Sequence, residues 1–306
     1  MAQDYLKVLL AMDIDTTVVC RTRSSAESFK KNTDHEVIYG DLAKIIDESN
    51  KDFDFAIVAV DIENLFKVSS LLIEKGIKKL LVEKPGSLNS IEINALTDVS
   101  ERKQADVSIA YNRRFYASAL KAKEIIGLDN GVTSFSFEFT EWSHKIESLP
   151  KNTKIKENWF LANSSHVVDL AFFLGGIPKE MQSFISGKNK LSWHPSASAF
   201  SGSGITKNNA TFSYQADWSG PGRWGVEIVT NKNRLIMRPL EKLQIQKKGS
   251  LDITFEDIDD QLDIEFKPGL FKQVEAFLND DVECLCSLRD QKKSMILFNE
   301  ISKYKS

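Results

Sequence analysis

Lys79-Leu80-Leu81-Val82-Glu83-Lys84-Pro85-Gly86 is an apolar run closed by a glutamate, a lysine and a proline. It reads as a buried strand that delivers an ionisable lysine to the edge of a sheet, because proline lacks an N–H and ends the pairing. In open α/β sheets ligands sit outside the carboxyl ends of the strands. Burial there disfavours the charged form of a lysine and moves its pKa towards the range of an acid/base group. A strand that merely ended in a solvated charge pair would look the same, so the neighbouring segments decide.

Upstream, Phe53 to Val60 (Phe-Asp-Phe-Ala-Ile-Val-Ala-Val) is a second continuous apolar run, as a sheet covered on both faces requires. Tyr5, Leu6, Val8, Leu9, Leu10 and Met12 have the spacing of one helix face, and Thr16–Cys20 is a short β-branched strand. Ser24-Ser25-Ala26-Glu27 has a capping-box pattern that opens a helix. His35–Tyr39 is strand-like, and Asp41 caps a short helix through Glu48. A helix over 62–75, a strand over 77–82, a helix over 89–100 and a strand over 105–110 complete the alternation. Strands separated by helices imply βαβ units, parallel pairing and right-handed crossovers. Residues 1–118 are predicted to form a doubly wound, Rossmann-like α/β domain.

After about residue 118 the pattern changes. Val132–Phe139 (Val-Thr-Ser-Phe-Ser-Phe-Glu-Phe) alternates with period two, and similar stretches follow near 209–218, 223–230, 234–238 and 242–246. Consecutive strands without helices between them imply an antiparallel sheet. One helix at about 164–174 precedes these strands, and two at about 268–279 and 287–302 end the chain. Residues 119–306 are predicted to form an α+β domain with an open, mainly antiparallel sheet.

A chain of 306 residues is long enough for two cores. Its net charge of −3 gives no electrostatic reason to expect nucleic acid or an anionic membrane as partner. Three cysteines, Cys20, Cys284 and Cys286, make no disulfide framework and suit a reducing compartment. Cys284 and Cys286 lack a second ligand pair, so no metal is expected. There is no signal peptide pattern at the start and no apolar run near the roughly 20 residues that span a bilayer. A cytoplasmic protein is expected.

Two further segments carry chemistry. Ala110-Tyr111-Asn112-Arg113-Arg114-Phe115 lies where the strand after Lys84 runs out, and Asn112 and Arg113 can donate hydrogen bonds to a phosphate or a sugar, while Arg114 equally suits an interdomain salt bridge. In Asn163-Ser164-Ser165-His166-Val167-Val168-Asp169-Leu170, Ser164 or Ser165 reads as a helix N-cap. That places His166 in the first turn, where the helix dipole lowers its pKa. Asp169, one turn on, is placed to orient the imidazole.

Taken together, Glu83-Lys84-Pro85, Asn112-Arg113-Arg114 and the His166-x-x-Asp169 helix resemble the glucose–fructose oxidoreductase/inositol dehydrogenase (Gfo/Idh/MocA) family, in that order and over nearly the whole chain. The resemblance implies a Rossmann domain holding NADP(H) or NAD(H), with Val60, Glu83, Lys84 and Asn112 beside the cofactor. It also implies a second domain whose sheet covers the substrate and mediates a homo-oligomer, a dimer or tetramer. The implied reaction is hydride transfer at a carbinol carbon of a sugar, cyclitol or nucleotide-sugar, with Lys84 polarising the reacting oxygen and His166 exchanging its proton. A catalytically silent relative that binds a sugar nucleotide or serves as a partner subunit is the other implied reading.

The chain departs from the family pattern twice. Where the family usually has an aspartate four residues before the histidine, this sequence has Ala162, followed by Asn163. There is also no glycine before Gly40, so the Gly-x-Gly-x-x-Gly turn that cradles a pyrophosphate has no place after a first strand. Met1–Tyr5 reads as the interior of the first family helix. The first strand and glycine loop, roughly a dozen residues, are expected upstream of the given start. The alternative is a degenerate member whose neighbouring strands close up and bind dinucleotide weakly.

The end of the next strand, Cys20-Arg21-Thr22-Arg23-Ser24, has no carboxylate for a ribose 2′-hydroxyl. Arg21, Thr22 and Arg23 are therefore candidate contacts of a 2′-phosphate, favouring NADP(H) over NAD(H). Arg223 and Trp224, at a glycine-rich corner, and Trp159 are candidate substrate contacts with Arg113, Asn163 and Asp169, since tryptophan stacks on sugar rings and guanidinium suits anions.

Overall fold

The computed structural model describes residues 1–49 and 51–304. Among these, β1 (Val18–Cys20) and β2 (Val37–Tyr39) form a two-stranded parallel sheet. A separate sheet runs in parallel through β3 (Ala56–Val58), β4 (Lys79–Glu83) and β5 (Asp106–Ala110). The large sheet contains β6 (Val132–Glu138), β7 (Pro178–Ser186), β8 (Ala199–Thr206), β9 (Thr211–Asp217), β10 (Gly225–Thr230), β11 (Asn233–Met237), β12 (Gln244–Lys247) and β13 (Ile253–Phe255). Its order is β13-β12-β11-β10-β6-β9-β8-β7, and every pairing is antiparallel except β6 with β9. Finally β14 (Cys286–Ser287) returns to pair antiparallel with β5.

The expected fold class is therefore present, a parallel Rossmann-like lobe beside an open, mainly antiparallel sheet. The neighbours of the missing central position do not close up, because among the described residues no ladder joins β1 to β3. Strands β7, β8 and β13 were not anticipated. β8 is interrupted by Gly202 and Gly204, where a Cβ would sit 2.3 Å from the Tyr214 hydroxyl and 2.2 Å from the Glu180 carbonyl. Glycine inside a strand marks such close approach and erases the apolar alternation. The second helix begins at Arg23 rather than at Ser24, since Thr22 is the cap and its Oγ1 accepts the Ser25 N–H at 3.2 Å.

β4 is buried through Leu80, Leu81 and Val82, so its carboxyl end opens onto the second lobe and not into water. One continuous apolar cluster runs from Leu80, Val82 and Ile109 through Phe139 and Phe160 to Val168 and Phe298. The C-terminal helix Leu288–Ser302 packs against the helix Ser90–Lys103 and against β5. From it Gln291 Nε2 donates to the Pro85 carbonyl at 2.9 Å, holding the turn that follows Lys84. Among the described residues no helix is long and apolar enough to cross a membrane.

Candidate active site

Lys84 stands at the end of β4, and its Nζ donates to the Ala162 carbonyl at 2.5 Å. Burial lowers its pKa to about 8, with Arg113 adding to the fall while Glu83 and Glu141 oppose it. Glu83 accepts a hydrogen bond from the Tyr5 hydroxyl at 2.8 Å.

After β5 the chain makes a 3₁₀ turn, Asn112–Phe115. With three residues per turn, adjacent side chains diverge by about 120°. Arg114 points into the core and grips Asp169 through Nε at 2.8 Å and Nη2 at 2.6 Å. Arg113 points into the crevice, 4.6 Å over the Trp224 ring, and among the described residues it makes no ion pair. Asn112 uses its amide on the Pro268 carbonyl at 2.9 Å, so that group is spent within the protein and not offered to a cofactor.

His166 is only 8% exposed, with its ring 6.3 Å from Trp224 and edge-on to Tyr111 at 6.1 Å. Two expectations are corrected here. The helix Ser165–Gly175 has no free N-terminus, because it continues from a π-helical turn over Phe160–Ser164. Ser164 and Ser165 cap nothing, their hydroxyls donating instead to Glu141 Oε1 and to the Leu161 carbonyl, each at 2.7 Å. The imidazole is nonetheless held well below its ordinary pKa, first by burial and then by Arg113, Lys84 and Lys267. Nor does Asp169 orient it or face a substrate, since both carboxylate oxygens are taken by Arg114 and His166 Nδ1 has no partner.

Glu141 is the member of this group that the sequence reading passed over. It is 2% exposed, accepts from Asn163 Nδ2 at 2.9 Å and 3.1 Å and from Ser164 Oγ, and lies 3.5 Å from Arg223 Nη1. Burial raises its pKa, against the pull of those partners. The available signal was the period-two count, in which Phe135, Phe137 and Phe139 face inward and the next inward position is a carboxylate.

Arg223 lies 4.9 Å over Trp142 and 4.5 Å over Trp224, so two guanidinium groups, Arg113 and Arg223, share one indole. Trp159 is buried edge-on to Trp193 at 6.1 Å. At the other end of the lobe, Arg21 is exposed, Thr22 is engaged in its cap, Arg23 pairs with Glu27 at 2.8 Å, and Val60 is exposed just past β3. The structure thus gathers Lys84, Arg113, Glu141, Asn163, His166, Arg223 and Trp224 at one crevice. It leaves Arg21, Thr22, Arg23 and Val60 outside it, and it uses Asn112 and Asp169 internally.

No family model matches the chain, and no curated protein matches it. Solved structures do. An oxidoreductase from Agrobacterium radiobacter in complex with NAD+, L-tartaric acid and magnesium superposes with a TM-score of 0.80 at 14% identity, covering 99% of this chain and 92% of that one. Levoglucosan dehydrogenase with NADH and levoglucosan gives 0.76 at 17% identity, over 98% and 92%. UDP-N-acetylglucosamine 3-dehydrogenase from Acidithiobacillus ferrooxidans gives 0.75 at 13%, again over 98% and 92%. The chain shares their two-lobed fold over nearly its whole length.

Proposed function

We propose that this protein is an NAD(P)-dependent oxidoreductase of the Gfo/Idh/MocA type, acting on a carbinol carbon of a sugar, cyclitol or nucleotide-sugar. The observation that carries this reading is the convergence of Lys84 and His166 at one crevice, each depressing the other's protonation as part of a buried cationic group. The fold likeness to three dehydrogenases or oxidoreductases, two of them solved with a nicotinamide cofactor, supports it.

The residues present suit the two ends of such a cofactor better than its middle. Lys84 and the unpartnered His166 Nδ1 face the reacting end, and exposed Arg21 has no acidic neighbour to repel a 2′-phosphate. No glycine precedes Gly40 to cradle a pyrophosphate. When bound, the dinucleotide supplies the hydride chemistry. The proton belongs to this chain. At a pKa of about 8, Lys84 is protonated at neutral pH yet close enough to give up or take back a proton. His166 stays neutral and holds the reacting oxygen by a hydrogen bond. This exchanges the two roles expected from the family resemblance, because a group held so far down is a poor proton carrier.

The reading includes a cofactor lobe over 1–118 and a substrate lobe over 119–306, a homo-oligomer built on the large sheet, and residence in the reducing cytoplasm, where three free cysteines are stable. The test is absorbance at 340 nm with NADP+ or NAD+ and a panel of polyols, sugars and nucleotide-sugars. Lys84→Met is expected to lower kcat by about 10²–10⁴-fold with an unchanged near-UV circular dichroism spectrum. Undiminished turnover in that variant would overturn the assignment. A higher kcat/KM for NADPH than for NADH is expected from Arg21.

A further inference from the structure

The guanidinium of Arg113 is deeply placed and unpaired, which proteins avoid because an uncompensated buried charge is expensive. Tyr116, 5.9 Å from it, and Glu241 face it without forming an ion pair. Around it the cations Lys84 and Arg223 line the same crevice, and Lys267 is close enough to lower His166. Against them stand two carboxylates, both already engaged: Glu83 with Tyr5, and Glu141 with Asn163, Ser164 and Arg223. The crevice is therefore short of negative charge. It also contains two polar atoms buried without any partner, His166 Nδ1 and Trp224 Nε1, next to the ring over which both guanidinium groups lie. Buried polar atoms are rarely left unpaired, so their conjunction with a free guanidinium marks the place of a ligand.

We propose that the ligand of this crevice carries an anionic group, a carboxylate or a phosphate, taken by Arg113 with Arg223 beside it, while its sugar ring lies against Trp224. A guanidinium offers a planar fork matched to either anion, and an indole face suits the apolar face of a sugar. A neutral polyol would leave Arg113 as unpaired as it is in the free protein. This rests on the oxidoreductase reading only for the identity of the reacting carbon; the anion preference stands on the charges alone.

Isothermal titration calorimetry at fixed ionic strength, with D-glucose, D-glucuronate and D-glucose 6-phosphate as probes, tests it without turnover. One anionic probe is expected to bind about tenfold or more tightly than glucose, and which one does so distinguishes a carboxylate from a phosphate. Arg113→Gln should erase that margin while glucose binding is unchanged. Arg113→Lys, which keeps the charge but loses the fork, should retain only part of it and serves if the glutamine variant does not fold. Equal binding of all three probes, absence of binding by both anions, or a margin that survives Arg113→Gln would overturn the proposal. A protein that prefers the anion yet never reduces NADP+ would instead overturn the oxidoreductase reading and leave this one standing.

Discussion

Lys84 keeps a pKa near 8 because two carboxylates offset the cost of its burial, and one of them, Glu141, lies across the crevice on the other lobe. Removing that charge while keeping the shape should let the lysine fall further. In Glu141→Gln the pH at which Lys84 is half-labelled by an amine reagent, followed by mass spectrometry, is expected to drop below about 8. An unchanged or higher midpoint would show that Glu141 serves packing alone. The neighbouring pair makes the opposite kind of prediction. Arg114 and Asp169 are both buried and satisfy each other, so Asp169→Ala strands a guanidinium and should cost about 3–5 kcal/mol in urea unfolding. A loss under 1 kcal/mol would mean that Arg114 finds water or another acceptor. In sequence, Arg113 and Arg114 are indistinguishable, two arginines after a strand. Only the tightness of the 3₁₀ turn separates a ligand-facing residue from a structural one, and nothing in the local composition announces that turn.

At the scale of elements, the segment Phe160–Gly175 shows what the sequence conveyed and what it concealed. A helix carrying His166 was legible from its apolar residues. Its origin was not, because Asn163 and Ser164 are ordinary capping residues and read as the start of a helix. They face the Glu141 carboxylate instead, and a π turn brings them there. π turns occur mostly as single insertions and frequently at functional sites. Here the turn also presents the Ala162 carbonyl to Lys84, at the position where an aspartate was expected. The far end of the helix is fixed by contact. A Cβ on Gly175 would lie 2.5 Å from the Phe135 ring of β6, and that ring is itself packed on Phe172 and Phe212. Gly175→Ala therefore forces apart the helix and the sheet that carries Glu141. It is expected to cost about 1–3 kcal/mol, read as a fall in thermal midpoint with unchanged far-UV circular dichroism, whereas a midpoint equal to wild type would show that the ring can move aside freely.

Over the whole molecule, order is distributed unequally between the two parallel sheets. The fold class was readable because parallel strands buried on both faces must be continuous apolar runs, and 53–60 and 79–82 are such runs. The split between β1–β2 and β3–β5 follows from a gap in pairing that no residue pattern encodes. β4 and β5 sit in the shared core with Leu80, Val82 and Ile109 almost fully buried, clamped by the C-terminal helix and by β14. β1 and β2 are three residues each, paired only with one another, and none of their residues is fully buried. A two-stranded sheet without further partners is marginal in water, and such regions open locally at far lower free energy than a core. Hydrogen exchange followed by mass spectrometry should therefore show the 18–20 and 37–39 amides exchanging at least about 100-fold faster than those of 80–82 and 107–109. Arg21, which follows β1, is where a 2′-phosphate would bind, so ligand binding and the ordering of this sheet are coupled. Saturating NADPH is then expected to slow exchange in β1 and leave β4 as it was. Uniform protection of both sheets in the free protein would mean that the small sheet is held by packing stronger than its exposure suggests, and no slowing with NADPH would remove Arg21 from the cofactor site.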